Sequence, residues 1–226
     1  MPTARRFLFL ALVTAILVGV GLAQPRFDRG FWGEEHGPIV RTEGGQLVNE
    51  DTVRTARETA PHSVDLPGWT NAPGFEKDVF TFTRILFKSP GRPAWVSWLN
   101  DYPDADLNLS ARLKQLTSIT ADPDGRVVRL TDPALAEYPF IFMSHPEWME
   151  LRDEEITGLR NYLFNGGALF ADDFWGDQSW AHFEAEMRKV LPHQSWTELT
   201  ISNQLFHCVF DLRGSMNSLQ VPSIHF

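Results

Sequence analysis

The chain has 226 residues, of which 43 % are apolar and 22 % charged, with eight Trp and 17 Phe dominating an aromatic share of 12 %. Those proportions exclude a disordered or collagen-like chain and a multi-span membrane protein, and the length suits one domain of moderate size with appendages. With 29 acidic against 20 basic residues the formal charge is −9, so the counterion release that drives most nucleic-acid binding is missing, and DNA and RNA are set aside as partners.

Residues 1–23 read as a secretory signal. Arg5 and Arg6 precede an apolar stretch from Phe7 to Leu22, and Gly21-Leu22-Ala23 places small residues ahead of Gln24, the expected mature terminus. The apolar run is short of the roughly 20 residues a membrane span needs, and no positive cluster follows it. Cleavage would leave a periplasmic or extracellular protein, after the signal has touched the membrane during export; an uncleaved signal would leave it anchored. Cleavage also removes two basic and no acidic residues, which takes the charge from −9 to −11. Cys208 is the single cysteine, so stability comes from the core and not from an internal disulfide.

Residues 24–76 mix Gly, Pro and charge around one helical candidate at 49–60 and are expected to lie as an extension on the domain at 77–226. Phe80 to Phe87 alternates aromatic and polar residues before Ser89-Pro90-Gly91, the pattern of a strand and turn. Residues 94–99 form a second extended candidate. After the acidic turn Asp101-Tyr102-Pro103-Asp104-Ala105-Asp106, Leu109, Leu113 and Leu116 recur at helical spacing, with Asp106 a candidate cap. Strands are expected at 127–130, 138–143 and 168–171. Helices are expected at 153–164, stopped by Asn165-Gly166-Gly167, and at 177–190, closed by Pro192. This order predicts an α/β fold: an open parallel sheet with helices on both faces, of flavodoxin-like type.

Ligands of such sheets bind at the carboxyl ends of the strands. The residues there are Asn100, Asp101, Asp104 and Asp106 after the second extended piece, Ser144 and His145 after Met143, and Asp172 and Asp173 ahead of Phe174 and Trp175. Asp101, Asp104, Asp106, His145, Asp172, Asp173 and Trp175 are therefore the candidate ligand-binding residues. Helix caps and a plain acidic turn are the competing explanations for the aspartates. Against them stands the adjacent pair Asp172-Asp173, whose carboxylates repel unless a cation or donor balances them. No second His stands near His145 at metal-ligand spacing, which argues against zinc. Oxygen ligands from Asp101, Asp104, Asp172 and Asp173 would suit Mg²⁺ or Ca²⁺.

Phe80-x-Phe82-Thr83-Arg84-Ile85, the Asp101 to Asp106 segment, Tyr138-Pro139-Phe140, and Asn165-Gly166-Gly167-Ala168-Leu169-Phe170-Ala171-Asp172-Asp173-Phe174-Trp175-Gly176 together resemble the bacterial domain-of-unknown-function family 4159, from about Pro67 onward. The resemblance implies a class I glutamine amidotransferase-like, trehalose-utilisation-like fold in exported or envelope-associated proteins, and it implies no activity. Two departures stand out. Where such proteins tend to carry His-Pro before a Phe, this chain has Asn203-Gln204-Leu205-Phe206, and it stops at Phe226 where relatives continue, so a shortened C-terminus is an expectation. The strand-to-helix elbow after residue 171 holds Asp172 and Asp173 where amidotransferases need a Cys, and Cys208 lies elsewhere, which rejects glutamine hydrolysis. No Gly-x-Ser-x-Gly elbow supports a serine hydrolase.

Three functions compete on this reading. The first is an exported envelope protein that binds a small polar ligand or a protein partner on its acidic, aromatic rim. The second is a carboxylate-dependent hydrolase of a glycan or related envelope substrate, assisted by His145. The third is a structural module whose rim is only caps and turns.

Overall fold

Arg84 occupies the middle of an aromatic strand and is fully buried, a position that a guanidinium holds only when its donors are satisfied. The computed structural model describes residues 38–62, 66–74, 78–93, 96–208 and 211–215, and the fold around Arg84 explains how that is done. The signal expected at 1–23 lies outside the described residues. Among those described, no helix is long and apolar enough to cross a membrane.

Four short strands form one parallel sheet: β3 (Thr83–Ile85), β4 (Arg126–Val128), β5 (Phe140–Ser144) and β6 (Ala168–Asp172), in the order β4-β3-β5-β6. Two further strands, β1 (Ile39–Arg41) and β2 (Leu47–Asn49), make a separate antiparallel hairpin whose turn uses Gly45 at positive φ. The strand expected over 80–87 narrows to β3 in its two-sided pairing, yet residues 80–86 bond toward β4 along their whole length. Phe80 bridges Ala121, the Arg126 N–H donates to the Phe82 carbonyl at 2.8 Å, and the Leu86 N–H donates to Val128 at 2.8 Å. β5 and β6 pair in parallel from Phe140↔Ala168 to Ser144↔Asp172 and are joined by the helix between them, as the sequence predicts.

The helices are α1 (Asp104–Leu116), α2 (Asp153–Phe164) and α3 (Gly176–Val190). Both faces of the central strands are buried: Thr83, Arg84 and Ile85 on β3, and Ile141, Phe142 and Met143 on β5. The side chains of Phe82, Phe140, Phe142 and Phe170 share one face as a chain of ring contacts 5.1 to 6.4 Å apart, and Arg84 lies over Phe142 at 5.1 Å. α2 ends as the sequence predicts. Asn165 is the cap, Gly166 takes φ 94°, its N–H donates to Leu163, and the Gly167 N–H donates to Tyr162, the paired bonds of a Schellman stop. Gly158 lets α2 pack on the chain after β4, because a Cβ there would stand 2.0 Å from the Leu130 carbonyl oxygen.

Three sequence expectations are corrected. Residues 49–60 form no α-helix, only a single 3-10 turn at Ala56–Glu58, because their backbone bonds sideways: the Val127 N–H donates to Arg54 and the Ala56 N–H to Asp124. Of the extended candidate at 94–99, residues 94 and 95 lie outside the described residues, and Val96 to Asn100 form turns, with the carbonyls of Trp98 and Asn100 aimed at Arg84 instead of at a strand. α1 begins at Asp104, so Asp106 sits inside its first turn and is no cap. The buried face of α1 is Asp106, Leu107 and Ser110, while Leu109 and Leu116 are exposed.

The described part of the extension is tied to the sheet domain. Trp98 Nε1 donates to the buried Glu50 at 2.8 Å, the Tyr102 hydroxyl donates to the Thr55 carbonyl at 2.9 Å, and Trp69 Nε1 donates to Ala121 at 3.0 Å. By chain contacts one unit ends at Val190 and a second begins at Leu191. The second holds a 3-10 turn at Gln204–Phe206, capped by Asn203, and an exposed His207–Asp211 pair at 2.7 Å.

The Arg84–Asp106 pair generates the first prediction. Arg84→Met leaves the Asp106 carboxylate buried without its partner and is expected to cost about 3–5 kcal/mol in urea unfolding, whereas the double change with Asp106→Leu recovers only the part due to that carboxylate, because the Trp98 and Asn100 carbonyls stay without the guanidinium.

Candidate functional site

The order of the sheet reverses between β3 and β5, the place where an open parallel sheet offers the carboxyl ends of its strands to a ligand. Three residues at the ends of this edge adopt the left-handed conformation without being glycine: Asp101 at φ 54°, His145 at 50° and Asp173 at 63°. Asp, Asn and His tolerate this region better than most side chains, and such backbone persists where its surroundings fix it.

Those surroundings begin with Arg84. Its Nε donates to both oxygens of Asp106 at 3.0 and 2.9 Å and one terminal nitrogen donates to Oδ2 at 2.6 Å, which fixes the first turn of α1. The other terminal nitrogen donates to the carbonyls of Trp98 at 2.8 Å and Asn100 at 3.0 Å. Burial is the largest influence on Asp106 and raises its proton affinity against the opposing charge and hydrogen bonds of Arg84.

Held in this way, the Asn100 amide nitrogen donates to Asp101 at 3.0 Å, reaches Ser144 Oγ at 3.4 Å, and donates to Asp173. The loop after β3, the last residue of β5 and the loop after β6 therefore meet on one side chain. His145 completes the group. Its Nδ1 lies 3.0 Å from Oε1 of the buried Glu147, and its Nε2 faces Asp173 Oδ2 across 3.6 Å. The second Glu147 oxygen is buried and has no hydrogen-bond partner among the described residues. The backbone N–H of His145 donates to the Asp172 carbonyl at 3.1 Å. Beyond it, α3 anchors the chain: His182 Nε2 is 3.2 Å from the Met149 carbonyl, and Glu186 accepts from the Leu151 N–H at 3.0 Å.

Of the sequence candidates, Asp101, His145 and Asp173 are brought together. Asp172 contributes its backbone carbonyl, while its side chain turns to accept the Asp173 N–H at 2.8 Å. Asp104 faces the extension, accepting the His62 N–H at 2.8 Å, and Asp106 is consumed by Arg84, so the expected convergence of four carboxylates does not form. Trp175 stands exposed two residues past Asp173. Among the described residues no group of three or more His, Cys, Asp or Glu side chains is arranged to hold a metal ion. Arg84 and Glu147 were missed as site residues. A lone arginine in an aromatic strand and an acid two residues past a His were the available signals.

An open parallel α/β sheet with a polar side-chain cluster at the carboxyl ends of its strands is thus the class of protein defined by fold and site. The family model described as a domain of unknown function, DUF4159, matches residues 92–225, and the chain belongs to that family. The match begins just past β3, the strand that carries Arg84. No curated protein matches the chain.

Burial works against a charged His145, but the hydrogen bond and charge of Glu147, with the charges of Asp173 and Asp101, outweigh it and raise the His145 pKa above its ordinary 6.5. The folded value being the higher one, the imidazolium contributes stability that is fully present below about pH 6.5 and is lost as the pH rises through the folded pKa. The stability advantage of the parent protein over His145→Gln is expected to shrink as the pH rises from about 6.5 through the folded His145 pKa in urea unfolding. In an NMR titration, Glu147→Gln is expected to lower the His145 midpoint.

Proposed function

We propose that the protein is an exported cell-envelope protein whose amidotransferase-like α/β domain binds a small polar ligand at the Asn100–Asp101–His145–Asp173 rim. One observation carries this reading: the ends of β3, β5 and β6 bring an amide, an imidazole and two carboxylates into one cluster, with the Asn100 amide donating to Asp101 and Asp173 and His145 Nε2 facing Asp173 across 3.6 Å without a direct hydrogen bond. The strand order, with the second sheet strand outside the first and the third and fourth on its other side, supports a flavodoxin-like or class I glutamine amidotransferase-like assignment. Asp172 and Asp173 at the elbow after β6 leave that fold without the Cys nucleophile in this chain. The export part rests on residues 1–23. A protein partner seated on the same rim is the other occupant this reading admits.

A hydrolase is the second reading, and Glu147 favours it: by holding Nδ1 it turns Nε2 toward the rim, as a general base requires. Mg²⁺ or Ca²⁺ remains a proposed occupant through Asp101 and Asp173, the two carboxylates that share the Asn100 amide.

Protein recovered from the native host is expected to begin at Gln24; an intact Met1 on membrane-bound material overturns the export part. Calorimetric titration with Mg²⁺ and Ca²⁺ separates a cation site from an organic one. Heat that disappears in Asp173→Asn would move the assignment to a cation. Since Asn tolerates the left-handed backbone, Asp173→Asn is expected to melt within a few degrees of the parent protein while losing rim binding, and Asp104→Asn to keep it.

A further inference from the structure

We propose that a second site, at the outer edge of β4, takes an organic oxyanion, a carboxylate or phosphate carried on an apolar body, among Arg54, Arg126 and Arg129; it stands apart from the reading of the rim. β4 is an end strand of the sheet. Its residues Arg126 and Val128 turn their backbone groups to β3, so those of Val127 face outward, and the Val127 N–H donates to the Arg54 carbonyl at 2.9 Å. That bond ties the extension to the edge. Beside the crossing lies a cavity of about 370 Å³, walled by the three arginines and by Leu86, Val128 and Tyr138, with Glu50 and Asp132 as its acids. Its size suits a small molecule.

The backbone holds each guanidinium in place. Arg129 Nη2 donates to the Glu50 carbonyl at 2.8 Å and reaches Asp51 at 3.3 Å. Arg126 Nη1 donates to the Gly125 carbonyl at 2.7 Å and pairs with Asp122 at 3.2 Å. Arg54 spends its terminal nitrogens on the carbonyls of Val53 and Asp51, and its side chain pairs with no carboxylate among the described residues. Fastening the extension to β4 uses these donors only. Nε and Nη2 of Arg126, Nε and Nη1 of Arg129 and Nε of Arg54 donate to no group among the described residues. The acids of the cavity are already bonded, Glu50 to the Trp98 indole and Lys88, and Asp132 to the Arg129 N–H at 2.7 Å. In a chain of formal charge −9, the cavity thus gathers three fixed cations that keep donors to spare. A cation is repelled there, and a hydrocarbon leaves the donors unused. The planar forks of arginine match a carboxylate or a phosphate with paired N–H bonds. Leu86, Val128 and the Tyr138 ring supply the apolar wall for the body that carries it.

The experiment follows the backbone amide signals of residues 126–129 and the side-chain amide of Asn100 in the full chain by NMR at about pH 7, with hexanoate, phenyl phosphate, acetate, inorganic phosphate and hexanol as probes. The expected result is saturable shifts at 126–129 with hexanoate, phenyl phosphate or both, about tenfold tighter than with acetate, inorganic phosphate or hexanol, and no shift at Asn100. Hexanoate alone points to a carboxylate ligand and phenyl phosphate alone to a phosphate ester; either supports the proposal. Arg54→Gln and Arg126→Gln should each weaken binding about tenfold. Arg112→Gln, exposed on α1 with Gln115 as its partner, should leave it unchanged, with circular dichroism confirming that each variant is folded. Hexanol that binds as tightly as hexanoate overturns the proposal, and that comparison needs no variant. Binding that survives both arginine variants overturns it too. Acetate or inorganic phosphate that binds as tightly as the larger anions overturns it by removing the apolar body. Anions that move Asn100 and leave 126–129 unmoved overturn it and assign them to the rim. If no anion moves either set of signals, this site falls and the reading of the rim stands or falls on its own titrations.

Discussion

The buried Arg84–Asp106 pair is the constraint on which the rest of the molecule is arranged. A guanidinium and a carboxylate enter a sheet domain at substantial desolvation cost, and that cost is offset only when every strong donor and acceptor is placed. Arg84 meets this by reaching in two directions, to the first turn of α1 through Asp106 and to the carbonyls of Trp98 and Asn100. Met or Leu at the same two positions would fill the space, but would leave those two carbonyls with no donor from the sheet. The pair therefore does more than balance charge, because it fixes the path of the loop that carries Asn100 and Asp101.

That loop is also held from the outside. Glu50 takes the Trp98 indole N–H and pairs with Lys88, Thr55 accepts from the Tyr102 hydroxyl, and the His62 N–H reaches Asp104. The described part of the extension thus acts as the outer clamp of a segment whose inner clamp is Arg84. The His145 side of the cluster is fixed separately, by Glu147 on Nδ1 of the ring and by His182 and Glu186 of α3 on the chain that follows. Two independently braced walls meet at Asn100 and Asp173.

Periodicity made the parallel α/β sheet, α2 and α3 legible. Each has a clear apolar pattern and a local stop, such as Asn165-Gly166-Gly167. The failures have a common cause. At 49–60 and at 96–100 the backbone spends its hydrogen bonds on distant partners, Asp124, Val127 and Arg84, and nothing in the local sequence records those partners. The leucine spacing of α1 pointed to a helix but to the wrong buried face, because that helix buries a carboxylate. At the site, the rule that strand ends carry ligands located Asp101, His145 and Asp173. It also swept in Asp104 and Asp106, whose partners, His62 and Arg84, are remote in sequence. Glu147 was hidden for the opposite reason: it is so close to His145 in sequence that it reads as part of an ordinary turn.

The central claim, that Arg84 sets the rim by pinning the loop after β3, is tested most directly by hydrogen–deuterium exchange in an Arg84→Lys variant. Lysine keeps the charge for Asp106 but lacks the planar fork that also reaches Trp98 and Asn100. The account predicts that the variant folds, that amides of residues 97–104 exchange at least tenfold faster than in the parent protein, and that β5 and α2 keep their protection. Unchanged protection across 97–104 in a folded Arg84→Lys protein would contradict it.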